Sequence, residues 1–184
     1  MNKNCLYSRT RKITRLPKYI ILSLTRFYFK EDVQVNAKIL KSIDFPLTYD
    51  FYEHCAPALQ AKMKETREKH RQATQSAITH GDSYTIFDDS MPDDEFSSGT
   101  GVYELKSVIT HSGRTSDEGH YIGWVKPPLA DIGLNVEDVW FKANDENVKA
   151  VAPSDVLALK GGADSDIAYI LVLGPQEIAL KHEK

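Results

Sequence analysis

Residues 110–125 read Thr-His-Ser-Gly-Arg-Thr-Ser-Asp-Glu-Gly-His-Tyr-Ile-Gly-Trp-Val. A strand runs into a loop rich in Gly and Ser, and Gly119-His120-Tyr121 opens a second strand. The small residues Ser112, Gly113, Thr115, Ser116 and Gly119 let a backbone approach a substrate closely. Residues 120–126 and 139–145 pair as an antiparallel hairpin closed by Pro127 to Asp138. With Trp124 facing Trp140, Ile122 faces Lys142 and His120 faces Asn144. Directly opposed side chains share a face with Cβ atoms about 4.5–5.5 Å apart. Imidazole and amide, with the Asp145 carboxylate next in sequence, then meet at one end of the hairpin, as an oriented general base requires. The long connection leaves the register open. An ordinary hairpin loop carrying a surface histidine explains the same residues equally well.

Outward from this hairpin the chain reads as α+β. Residues 19–29, rich in β-branched and aromatic side chains, predict a central strand. Lys30 to Asn36 predicts a loop, and Pro46 ends a second extended stretch. Pro57 opens a helix to about Thr79 whose apolar face, Leu59, Met63 and Ile78, is thin, so it should lie on the surface. Residues 80–101 read as a flexible acidic loop. Strands are expected at 102–111, 120–126, 139–143, 148–151 and 167–173, and a short helix at 153–159 ended by Gly161 and Gly162. The whole of 1–184 reads as one unit.

Composition narrows the function classes. Of 184 residues, 41% are hydrophobic and 27% charged, which argues against disorder over the whole length. No apolar run approaches the length needed to cross a bilayer. Cys5 and Cys55 form no CxxC pair, so neither a disulfide framework nor a zinc site is expected. No metal or other cofactor is implied, and a reducing cytoplasmic or nuclear setting fits. Six basic residues lie between Met1 and Lys18, but Ile13 and Leu16 alternate with them. That predicts a half-solvated strand rather than a nucleic-acid-binding surface.

At these motifs the chain resembles the ubiquitin-specific proteases. Tyr103-Glu-Leu105, His111-Ser-Gly113 and Gly119-His-Tyr-Ile-Gly-Trp124 match the family's histidine box. Trp140-Phe-Lys-Ala-Asn-Asp-Glu146 stands where the family has Trp-x-Lys and an acidic cluster, with Asn144 in place of the usual first Asp. Ile167-Ala-Tyr-Ile-Leu-Val172 is similar to the closing strand. Leu16-Pro-Lys-Tyr19, Arg26-Phe27, Val35-Asn-Ala-Lys-Ile39 and Tyr52 to Gln60 most resemble the proteasome-associated members.

The resemblance implies the palm-like, antiparallel-sheet half of a papain-like cysteine protease fold, with one long surface helix. It implies His120 as general base, oriented by Asn144 with Asp145 beside it, for thiol-dependent hydrolysis at ubiquitin's C-terminal glycine. Gly119, Tyr121, Ser116, Asp117 and Glu118 would line the path of ubiquitin's tail, whose arginines suit the two acids. Loops 31–37 and 113–119 resemble the pair that covers the groove in the proteasome-associated members. Ubiquitin, ubiquitinated proteins and the 26S proteasome are the implied partners, with no nucleic acid or membrane. The family's Gly-x-Thr-Cys nucleophile segment has no match at Cys5 or Cys55. A fragment or truncated product of a deubiquitinase, inactive alone, is therefore expected. The alternative is a non-catalytic ubiquitin-binding module.

Overall fold

A computed structural model describes residues 6–80, 83–85, 89–113, 115, 119–128, 139–162 and 166–180. The strands are β1 (Ile20–Ser23), β2 (Phe27–Lys30), β3 (Val35–Lys38), β4 (Thr48–Asp50), β5 (Ser83–Thr85), β6 (Val102–Ser112), β7 (His120–Val125), β8 (Trp140–Asn144), β9 (Asn147–Val151), β10 (Ile167–Pro175) and β11 (Ile178–Leu180). The helices are α1 (Pro57–His80) and α2 (Pro153–Leu157), the latter continued by a 3-10 turn, Ala158–Lys160.

Seven strands form one antiparallel sheet in the order β1-β10-β6-β7-β8-β9, with β4 paired to the start of β6. The long β6 is its spine. β10 runs beside it from Tyr103 to His111, with register shifts at Ala168/Ile170 and Val172/Leu173. Two small sheets, β2-β3 and β5-β11, complete the topology of the described residues.

The cross-strand rows separate the two faces. On one face Leu22, Leu171, Val108 and Trp124 are aligned across four strands. They join Leu105, Ile122, Trp140 and Leu173 in a buried cluster with Leu59 and Met63 of α1 and Val156 of α2. Gly101 sits at φ +70, and a Cβ there would stand 2.6 Å from the Met63 Cε, so helix and sheet touch through a residue that must be glycine.

Away from the His111 end, where Phe27 of β2 packs, the other face has no such cover among the described residues. One row reads Ile21, Val172, Ser107, Val125, Phe141, Ala150; the next reads Ser23, Ile170, Ile109, Gly123, Ala143, Val148. None of the twelve is buried, and Ile21 and Val148 are 70% and 63% exposed. An apolar face two rows deep is unusual for a surface that stays in water.

Several expectations change on contact with the structure. Residues 19–29 form two strands, not one, and β1 is an edge strand rather than a central one. The chain turns between them because Arg26 points inward. Only 1% exposed, it donates to the carbonyls of Ala168 (2.9 Å), Lys41 (2.6 Å) and Lys160 (3.2 Å). Much of the loop expected at 30–36 is instead the turn and flanks of the β2-β3 hairpin. The basic N-terminal stretch forms isolated bridges, Ile13 with Cys55 and Pro17 with Ser97, rather than a strand. In the acidic segment Asp93 and Glu95 stay exposed, as a solvated loop requires, but Asp89 is drawn into the fold. Asp89 is 4% exposed and accepts from Ser98 Oγ at 2.7 Å and Thr100 Oγ1 at 3.0 Å. The helices fall where the sequence puts them, and Gly161 and Gly162, at φ +103 and +96, end the second.

Candidate active site

The β7-β8 hairpin forms, but its register is two residues from the expected one. Trp124 faces Lys142, Gly123 faces Ala143 and Val125 faces Phe141. A shift of two preserves which face each side chain occupies, whereas a shift of one would reverse it. His120 therefore still points to the Asn144 side, but diagonally, at a spacing only a long or planar side chain spans. Its Nε2 meets the Asn144 Oδ1 in a close hydrogen bond.

An amide oxygen only accepts, so Nε2 carries the proton in this contact. The lone pair of the neutral ring is then on Nδ1, the nitrogen left open to accept a proton. Asp145 follows in the two-residue turn to β9 at φ +51, a conformation Asp tolerates better than most residues. The turn leaves its Oδ2 3.8 Å from His120 Nε2 while its side chain stays 76% exposed. So of the expected site residues, the structure brings His120, Asn144 and Asp145 together.

Gly119 precedes His120 at φ +140. A Cβ there would lie 2.3 Å from the Ser112 carbonyl oxygen and 2.6 Å from His111 Nε2. No other residue fits that position without moving the strand that carries His120. Tyr121, next to His120, points to the opposite face and is 53% exposed. Ser116, Asp117 and Glu118 lie outside the described residues. The loops at 31–37 and 113–119 meet: Ala37 and Thr115 form an isolated antiparallel bridge.

Cys55 sits far from this site. It is 1% exposed, its Sγ donates to the Phe51 carbonyl at 3.3 Å, and Phe51 is bonded to Gly101 at the start of β6. His120 pairs with Ser112 at the far end of that strand. Ten steps of about 3.3 Å put roughly 30 Å between them. Burial, reinforced by Asp50, raises the Cys55 thiol pKa, opposite to what a nucleophile needs. Cys5 lies outside the described residues.

His111 and Lys38 fall within the motifs above, and the sequence assigns neither a role. His111 is 1% exposed, directly opposite Tyr121, and its carbonyl accepts from Lys38 Nζ. Only its place in a His-x-Gly motif hinted at more than a strand residue. No cluster of three or more His, Cys, Asp or Glu able to hold a metal occurs among the described residues.

The sequence pattern of the ubiquitin carboxyl-terminal hydrolase family matches residues 2–173. The chain belongs to that family. Among curated relatives, it is 32% identical over 187 residues to ubiquitin carboxyl-terminal hydrolase 14 of Caenorhabditis elegans, covering 94% of this chain and 37% of that protein. It is 30% identical over 202 residues to ubiquitin carboxyl-terminal hydrolase 7 of Arabidopsis thaliana, covering 98% and 41%. This member of the hydrolase family thus spans about two-fifths of the length of the curated relatives it matches. Among solved structures, the SAGA Ubp8/Sgf11/Sus1/Sgf73 DUB module matches 91% of this chain and 25% of its own chain at TM-score 0.52 and 23% identity. The same module bound to ubiquitin aldehyde matches at TM-score 0.52 and 22% identity, over 91% and 26%. At that identity the likeness speaks for the fold, which is the α+β, papain-like fold of the hydrolase family, with the sheet dominant.

Proposed function

We propose that this chain supplies the general-base half of a deubiquitinase, the nucleophilic cysteine coming from a segment outside it. The observation that carries the reading is the His120 Nε2 to Asn144 Oδ1 contact, which leaves Nδ1 as the base. Nδ1 takes the thiol proton, and the thiolate adds to the carbonyl carbon of ubiquitin's C-terminal glycine. Collapse of that adduct breaks the C–N bond while the imidazolium returns its proton to the leaving lysine amine. Water then attacks the thioester with His120 again as base, releasing the ubiquitin carboxylate and restoring the thiol.

Cys5 and Cys55 are not nucleophiles in this reading. Cys55 is buried far from His120, and the Cys5 segment lacks the Gly-x-Thr-Cys pattern. The uncovered apolar face agrees with a chain that is one part of a larger catalytic unit, whose remainder covers it. Ubiquitin and ubiquitinated proteins are the proposed substrates, in keeping with a structural neighbour solved with ubiquitin aldehyde. The proteasome is proposed as a further partner because of the Val35-Asn-Ala-Lys and His111-Ser-Gly-Arg motifs, with the cytosol and nucleus as compartments. A second reading, a non-catalytic ubiquitin-binding module, is favoured by the placement of Cys55.

A ubiquitin probe with a C-terminal electrophile separates the two readings. With the purified chain plus a separately expressed Cys-box half from a relative, the proposal predicts labelling of the added cysteine in the mixture only. Labelling of this chain alone would overturn the assignment of its cysteines. Absence of labelling, with ubiquitin binding retained in an NMR titration, would leave the binding module.

A further inference from the structure

On the face opposite His120, three elements converge on the His111 ring. Its centroid lies 5.1 Å from Phe27 of β2 and 4.9 Å from Tyr121 of β7, both edge-on. Its Nε2 and Cε1 abut Gly119, where a Cβ would stand 2.6 and 2.7 Å from them. Its carbonyl holds Lys38 of β3. Its Nδ1 is buried and has no hydrogen-bond partner among the described residues. A buried polar atom without a partner is destabilising, a cost that a phenylalanine at the same place would avoid. Nothing in the packing of the sheet needs that nitrogen.

We infer that His111 is a positioning residue for His120: its neutral ring props the Gly119 main chain so that His120 meets Asn144, and its protonation releases that turn together with the β2-β3 hairpin. The inference rests on the reading of His120 as the base. Geometry supplies the link, because Gly119 is the residue before His120 and Tyr121 the residue after it. The groups facing the ring are the Lys38 ammonium from β3, Phe27 from β2 and Tyr121 from β7. Tyr169 of β10 closes the cluster, 5.8 Å from Phe27 and 6.2 Å from Tyr121. Among the described residues, none of these is a carboxylate that would welcome an imidazolium.

The direction of the pH effect follows. Burial, and then the Lys38 ammonium, lower the His111 pKa below the ordinary 6.5. The folded form therefore favours the neutral ring. The stability this lends is complete above about pH 6.5 and is lost as the pH falls from there through the lower, folded value.

The test uses the purified chain and NMR, without any partner half. Two signals are followed: the His120 imidazole nitrogens at pH 7.5 and the Gly119 amide from pH 7.5 to pH 5. The wild-type chain should hold His120 as the Nε2–H tautomer and show an acid step at Gly119. His111→Phe should keep the tautomer, because the ring is retained, and lose the acid step. His111→Ala should lose the single tautomer at pH 7.5 while the Trp124 and Ile109 signals stay in place. An unchanged tautomer in a folded His111→Ala would overturn the inference. So would a wild-type acid step in His111→Phe, which decides the matter if the alanine variant does not fold. Failure of probe labelling in the reconstituted mixture would sink the proposed function without touching either signal.

Discussion

Replacing His120 with alanine is expected to lower hydrolysis of a fluorogenic ubiquitin C-terminal amide by roughly 10³–10⁴-fold in the reconstituted enzyme. The loss should fall on kcat and leave KM close to wild type, because the imidazole acts on the thiol proton and not on ubiquitin's bulk surface. The fold should be unaffected, since the His120 side chain is 40% exposed and is held by a hydrogen bond to Asn144. Asn144→Ala should cost far less. A neutral hydrogen bond contributes about 1 kcal/mol net, which at about 1.36 kcal/mol per decade is roughly fivefold. Asp145, with its Oδ2 3.8 Å from the same nitrogen, stands ready to take over part of that role. An Asn144→Ala loss as deep as that of His120→Ala would mean that the amide does more than orient the ring.

The largest effect on stability is expected from Arg26→Met. The guanidinium ties together Ala168 in β10, the loop at Lys41 and the turn at Lys160. Burial pushes its pKa down, yet three carbonyl acceptors keep the cation in place. Methionine would fill much of the volume and leave those carbonyls short of a donor. At about 1–3 kcal/mol for each unsatisfied group, partly relieved by water, a loss of roughly 3–5 kcal/mol follows. That is a large fraction of the 5–15 kcal/mol that holds a typical domain together. With a urea slope near 2 kcal/mol/M, the unfolding midpoint should fall by about 2 M. Arg15→Met is the control. Its Asp94 partner is reached by a side chain 54% exposed, so the unfolding midpoint should barely move.

These two residues also mark how far the sequence could be read. The helices and the β6 to β10 strands were legible because their signals are local: Pro57, Gly161 and Gly162, and the alternation in His120 to Val125. The site was legible because face parity survives a register shift of two, so His120 and Asn144 share a face in either register. The register itself was not, because a connection from Pro127 to Asp138 carries no turn chemistry that fixes it. Arg26 was opaque for another reason. Its acceptors are 142, 15 and 134 residues away, and an Arg between Thr25 and Phe27 reads as a solvated strand position. The same inward arginine splits 19–29 and leaves β1 at the sheet edge, which no run of β-branched residues could disclose. Asp89 shows the converse error. It was read by charge as part of a solvated loop, yet Ser98 and Thr100 satisfy one of its oxygens inside the fold.

The central claim is that Asn144 holds His120 with Nε2 protonated, leaving Nδ1 free to take a thiol proton. A long-range proton–nitrogen NMR correlation of the purified chain near pH 7.5 reads this directly. The account predicts a protonated Nε2 and a bare Nδ1, with the preference lost in Asn144→Ala. A protonated Nδ1 and a bare Nε2 in the wild-type chain would contradict it, because the proton would then occupy the nitrogen assigned to the chemistry.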